Sequence, residues 1–165
     1  MTASQLIAEI SPALSTRIME DVFASDKELY RVALAAVAQA QKVRPIFLER
    51  QPRAERHKAM VTGLKRSDLS TISGNILSGW LVKHQSPLLA DFLDALKIKH
   101  DKGVVEDLPK SVNEADLQNA VNMLLDKYPP EVVGLYLRAF NDMNDAGWPN
   151  LQKMFDSDVR LMLGH

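Results

Sequence analysis

Leu77-Ser78-Gly79-Trp80-Leu81-Val82-Lys83-His84-Gln85-Ser86-Pro87-Leu88-Leu89-Ala90-Asp91-Phe92-Leu93-Asp94-Ala95-Leu96 decides the fold class. Leu77, Trp80, Leu81 and His84 recur at helical spacing on one stripe. Leu88, Leu89, Phe92, Leu93 and Leu96 do the same on the next. Spacings of three and four residues build one apolar face of an α-helix, whereas a half-buried strand needs alternation. Ser86-Pro87 separates the stripes, and proline costs least in a helix's first turn, where its missing N–H has no partner to lose.

The pattern repeats outward. Shifted by 44 residues, Leu77 meets Val121, Trp80 meets Leu124, Leu81 meets Leu125, His84 meets Tyr128, Phe92 meets Tyr136 and Leu96 meets Phe140. Pro129-Pro130 falls close to Ser86-Pro87. A period near ~40–47 residues is that of stacked helical hairpins. A 3.6-residue pattern also matches itself, so two unrelated amphipathic hairpins can be slid into register. Gly74 and Gly79 predict close backbone approach within the stripe, because glycine inside a helix costs up to ~1 kcal/mol.

Elsewhere, Ser11-Pro12, Pro45, Pro52, Ser67 and Trp148-Pro149 read as helix starts. Ser25 with Glu28, and Ser111 with Glu114, read as capping boxes. Lys97, Lys99, His100 and Lys102 read as the basic end of a helix closed by Gly103. Residues 103–110 and 141–147 read as loops, with Val104-Val105 extended. The expectation is an all-α chain of seven or eight helices in one domain, residues 1–165, arranged as a compact bundle or as stacked α-hairpins. Its parts are a basic segment at 42–66, hairpins at 67–100 and 111–143, and a last helix at 148–163.

Composition narrows the function. The chain has 165 residues, 46% hydrophobic and 25% charged, with a net charge of −1 and no cysteine. Thiol catalysis, thiolate metal sites and disulfides are excluded. No apolar run reaches the ~18 residues of a membrane span. With no signal-peptide pattern after Met1, a cytoplasmic location without membrane association is expected.

Candidate chemistry is sparse. Asp142-x-Asn144-x-Ala146-Gly147 begins like a calcium loop, but Lys153 stands where the bidentate Glu belongs. Val61-Thr62-Gly63-Leu64-Lys65-Arg66-Ser67 lacks the spacing and preceding strand of a phosphate loop. Among His57, His84, His100 and His165, no pair is four apart and no Glu-x-x-His occurs. Asp91 and Asp94 fall on the solvent side of their helix. No catalytic, cofactor or metal residue is assigned, and no cofactor is expected.

Charge is the anomaly. Residues 42–66 carry Lys42, Arg44, Arg50, Arg53, Arg56, Lys58, Lys65 and Arg66 against Glu49 and Glu55, a net of +6. Residues 1–41 carry −2 and residues 67–165 carry −5. Three functional expectations follow. The first is a non-enzymatic helical module for a protein partner or a homo-oligomer, with contact at Trp148, Val104 and Val105. The second is nucleic-acid binding through Arg50, Arg53, Arg56 and Lys58. The third is a ligand or catalytic site around His84, Trp80 and Tyr128.

Overall fold

A computed structural model describes residues 1–164; His165 lies outside the described residues. Ten α-helices and no strand are present among them, so the chain is all-α. The helix count exceeds the expected seven or eight largely because of α1 (Ala3–Glu9). That helix opens on Thr2 and Gln5, whose side chains bond each other's backbone N–H, a capping box legible in the sequence.

The chain divides into two units, Met1–Trp80 and Leu81–His165. The first holds α1, α2 (Pro12–Ser25), α3 (Lys27–Ala40), α4 (Pro45–Glu49), α5 (Arg53–Leu64), a 3-10 turn Ser67–Leu69 and most of α6 (Ser70–His84). Helix α2 packs on α3 and α5, and α3 on α4 and α5. Leu6, Ile18, Met19, Val22, Val37, Met60, Leu64, Ile76 and Trp80 are buried there. The Trp80 indole N–H donates to Asp21 Oδ2 at 2.8 Å, which satisfies the one polar atom its burial would strand.

Helix ends correct several expected caps. Asp26, not Ser25, caps α3, accepting from the Leu29 N–H at 3.1 Å, while the Ser25 hydroxyl donates to the Asp21 carbonyl. Asn113, not Ser111, caps α8 (Glu114–Lys127). Ser67 opens the 3-10 turn rather than α6. Helix α7 (Ser86–Ala95) closes on Lys97, not Gly103. Lys97 has φ of 57°, the Ile98 N–H donates to the Leu93 carbonyl, and the Lys97 N–H to that of Asp94. Helix α3 closes identically on Lys42 at φ 58°. Each lysine occupies the left-handed position that glycine usually takes.

The second unit holds the end of α6, α7 (Ser86–Ala95), α8 (Glu114–Lys127), α9 (Pro130–Arg138) and α10 (Pro149–Ser157). The expected loop at 141–147 begins instead as a π turn, Ala139–Met143, that continues α9. Helix α7 packs on α8, and α9 packs on α8, α10 and the 3-10 turn Val159–Leu161. Phe92, Tyr136, Phe140 and Trp148 stack edge to face or tilted, with centroids 5.0–6.0 Å apart. The unit boundary falls inside α6, so α6 and α7 are divided between the two units, while both counterparts α8 and α9 belong to the second.

Tighter contacts than that at Gly79 occur at other glycines. A Cβ at Gly79 would meet only the Leu29 terminal methyl, at 3.2 Å. A Cβ at Gly63 would lie 2.6 Å from Val37 Cγ1, and one at Gly134 would lie 2.7 Å from the Leu161 carbonyl oxygen. Alanine at 134 would gain up to ~1 kcal/mol of helix propensity. It would also force α9 away from a backbone atom, and overpacking costs about 1–3 kcal/mol. Gly134→Ala is expected to lower stability by about 1–2 kcal/mol net, read as a lower urea midpoint; an unchanged or raised midpoint would contradict this packing.

Candidate functional site: a basic edge on a buried hydrogen-bond chain

The basic segment divides into committed and uncommitted cations. Arg53 Nε lies 3.7 Å from Glu20 Oε2, and its guanidinium lies 5.2 Å from the Phe23 ring centroid. Arg56 Nε donates to Tyr30 Oη at 2.8 Å, and its Nη1 donates to the Glu49 carbonyl at 3.2 Å. Arg66 forms a two-pronged pair with Asp68. Lys42, Arg44, Arg50, Lys58 and Lys65 are exposed and form no side-chain ion pair among the described residues. Of the four cations assigned to anion contact, Arg50 and Lys58 thus face solvent without an ion pair, Arg53 is exposed but paired with Glu20, and Arg56 is half-buried on Tyr30.

The uncommitted cations at 42–50 are interleaved in sequence with exposed apolar residues. Val43, Ile46 and Phe47 are 39%, 44% and 60% exposed. Ile46, Phe47 and Arg50 share a face because three- and four-residue steps bring helical side chains together. Leu48 points the other way and is buried. Helix α4 has five residues, too few to be stable alone. It holds its shape through Leu48, through contacts with α3 and α5, and through Arg56 on its last carbonyl.

Beneath this edge lies a constellation that inspection of the sequence missed. His57 is buried, with Nδ1 2.9 Å from Tyr30 Oη and Nε2 3.2 Å from Glu20 Oε1. Arginine only donates, so Tyr30 Oη accepts from Arg56; the arrangement that also gives the phenol proton an acceptor sends it to His57 Nδ1. His57 is then neutral, with its proton on Nε2 facing Glu20. That last approach is bent and forms no good hydrogen bond, leaving Nε2 to the carboxylate's charge. The Phe23 ring closes the site at 5.0 Å from Tyr30 and 5.5 Å from His57. Burial raises the Tyr30 phenol above its ordinary value, opposed by Arg56. The signal was available: His57, Met60 and Leu64 stand at i, i+3 and i+7, a buried stripe of α5 obscured by the surrounding charge.

The other expected sites are placed as follows. Trp148 is wholly buried and is a core anchor rather than a contact surface. Its indole N–H donates to the Pro109 carbonyl at 3.1 Å, and its backbone N–H to Asn141 Oδ1 at 2.7 Å. It therefore pins the loop after α7. Val104 is 52% exposed and Val105 partly so. The segment is extended only at one bridge, between Asp101 and Val104. Trp80 and Tyr128 each give their polar hydrogen to an aspartate of their own unit, Asp21 and Asp91. His84 is half-buried. Asp91 is not merely solvated. Lys127 at 2.7 Å and the Tyr128 hydroxyl hold its carboxyl below the usual carboxylate range. Asp94 pairs with His100 at 2.7 Å. Among the described residues, no three His, Cys, Asp or Glu side chains converge as a metal site. No helix there is long and apolar enough to cross a membrane.

The buried imidazole makes a pH prediction. Burial depresses His57 below its ordinary 6.5; Glu20 opposes this, and Arg56 and Arg53 add to it. A base depressed on folding takes up its proton more readily unfolded. The stability tied to neutral His57 is complete above pH 6.5 and drains as pH falls below it. Urea midpoints compared at about pH 7.5 and about pH 5.5 should fall in the native chain. They should fall less in His57→Asn, whose amide oxygen can accept the Tyr30 proton without titrating. Equal declines would remove His57 as the cause.

Comparison with protein-family models, with curated proteins and with solved structures yields no match, so function here rests on the chain's own geometry.

Proposed function

We propose that this chain is a non-enzymatic protein-interaction module whose α4 edge docks an acidic segment of a partner protein carrying apolar side chains. The observation that supports this is Phe47, 60% exposed on the same face as Ile46 and Arg50, with Lys42 and Arg44 close in sequence. A lone exposed apolar residue is ordinary; three within five positions, interleaved in sequence with unpaired cations, have the make-up of a contact surface.

Charge and apolarity together define the occupant. Cations set the approach and register of an acidic partner. Val43, Ile46 and Phe47 would supply the buried area. Fully burying such a side chain contributes about 1.5–3 kcal/mol, so completing three half-covered ones yields roughly 3 kcal/mol. That suits a weak, reversible contact in which one aromatic anchor dominates. Nucleic acid fits less well. Arg53, Arg56 and Arg66 are engaged with Glu20, Tyr30 and Asp68. Phe47 is the single aromatic of the patch, and aliphatic side chains give bases nothing to stack on.

Selection of random peptides of about 16 residues on the full chain is expected to enrich Asp and Glu beside Leu, Phe or Trp. Phe47→Ala should weaken the selected peptides about tenfold, an anchor's loss of ~1.4 kcal/mol. Arg50→Glu should slow their association, increasingly so at low salt. Peptides indifferent to both substitutions would overturn the proposal. So would single-stranded RNA or anionic vesicles binding this face more tightly than any selected peptide.

A further inference from the structure

We infer that Arg56 is the positioning residue of the α4 edge, and that the proton on His57 decides whether Arg56 holds that edge in place. The functional consequence rests on the docking role proposed for α4; the device itself rests on geometry alone.

One guanidinium makes both connections. Arg56 Nη1 grips the Glu49 carbonyl at the end of α4, while Nε is fixed by Tyr30 Oη. The guanidinium plane also lies 5.3 Å from the Phe23 centroid and 5.7 Å from that of Tyr30. Glu20, Phe23, Tyr30 and His57 come from α2, α3 and α5, so α4 is tied through Arg56 to three longer helices. Lysine could not do this, because a single ammonium lacks the flat fork that reaches two fixed acceptors at once.

The chain has a direction, which a proton on His57 reverses. With Nδ1 protonated, two hydrogens meet between His57 and Tyr30. The phenol must then turn its own proton elsewhere and accept from both His57 and Arg56. Imidazolium and guanidinium then meet at one phenol oxygen, and like charges held this close repel. The charged groups facing the imidazole decide what yields. Glu20 from α2 attracts imidazolium, while Arg53 and Arg56 from α5 repel it. Glu20 is drawn toward imidazolium, whereas Arg56 is repelled by it and reaches solvent on the Glu49 side, where its bond to the carbonyl is exposed. Arg56 is the member able to leave, and its departure releases α4.

Amide hydrogen exchange on the full chain, without ligand, tests this. The reporters are the Phe47, Arg50 and Gln51 amides, which donate within or just beyond α4. Their protection, corrected for the intrinsic pH dependence, should fall about tenfold between about pH 7.5 and about pH 5. The Tyr128 and Gln152 amides, bonded in the second unit, should not change. His57→Asn should abolish the fall. Tyr30→Phe and Arg56→Lys should leave α4 weakly protected at both pH values. An unaltered pH profile in His57→Asn would overturn the inference. If that variant does not fold, full α4 protection in Arg56→Lys would do the same, as would a loss spread evenly over the first unit in the native chain. With no ligand present, a failed peptide selection bears on the docking edge and not on this result.

Discussion

An arginine side chain donates hydrogen bonds and accepts none, and that asymmetry orders the polar interior of the first unit. Arg56 gives one hydrogen to Tyr30 and another to the Glu49 carbonyl. The arrangement that satisfies Tyr30 then runs on to His57 Nδ1 and turns the imidazole's other nitrogen toward Glu20. Three helices with apolar faces would pack without this chain; with it, their rotation and offset are constrained, because Arg56, Tyr30 and His57 Nδ1 must meet. Buried networks of this kind are costly when one member is missing, since the survivors are stranded in a medium of low polarity.

The second unit solves the same problem with a different anchor. Its longest stretch without helix, between α7 and α8, buries little of its own. Trp148 supplies what that stretch lacks: a large apolar body among Phe92, Tyr136 and Phe140, and an N–H that reaches the Pro109 carbonyl. Asn150 adds a bond to the Val112 carbonyl. Loop order here comes from residues some forty positions away, which explains why the loop's own sequence reads as unstructured.

The surface keeps what the interior does not use. Eight cations in one segment suggested contact with phosphates or pairing with the acidic C-terminal part. Folding separates them by what lies underneath: those on the inner side of α5 meet Glu20 and Tyr30, while those at the α3–α4 corner meet water. Phe47 was legible as an aromatic beside the basic helix, but not as exposed, because a five-residue helix has no periodicity long enough to show which side faces the core.

The all-α class, most helix starts and much of the core were determined by the sequence itself, since proline position and apolar spacing act within a few residues. Leu88, Leu89, Phe92 and Leu93 are buried as their spacing requires. Local chemistry could not assign Lys97 over Gly103 as the end of α7, because the backbone bonds that close a helix outweigh the modest preference for glycine. Nor could it reveal the chain from Arg56 through Tyr30 and His57 toward Glu20, whose members stand 26 and 27 residues apart at its two hydrogen bonds. Only the packing of α2, α3 and α5 brings them within bonding distance, because directional polar contacts depend on three-dimensional position and leave no period in the sequence.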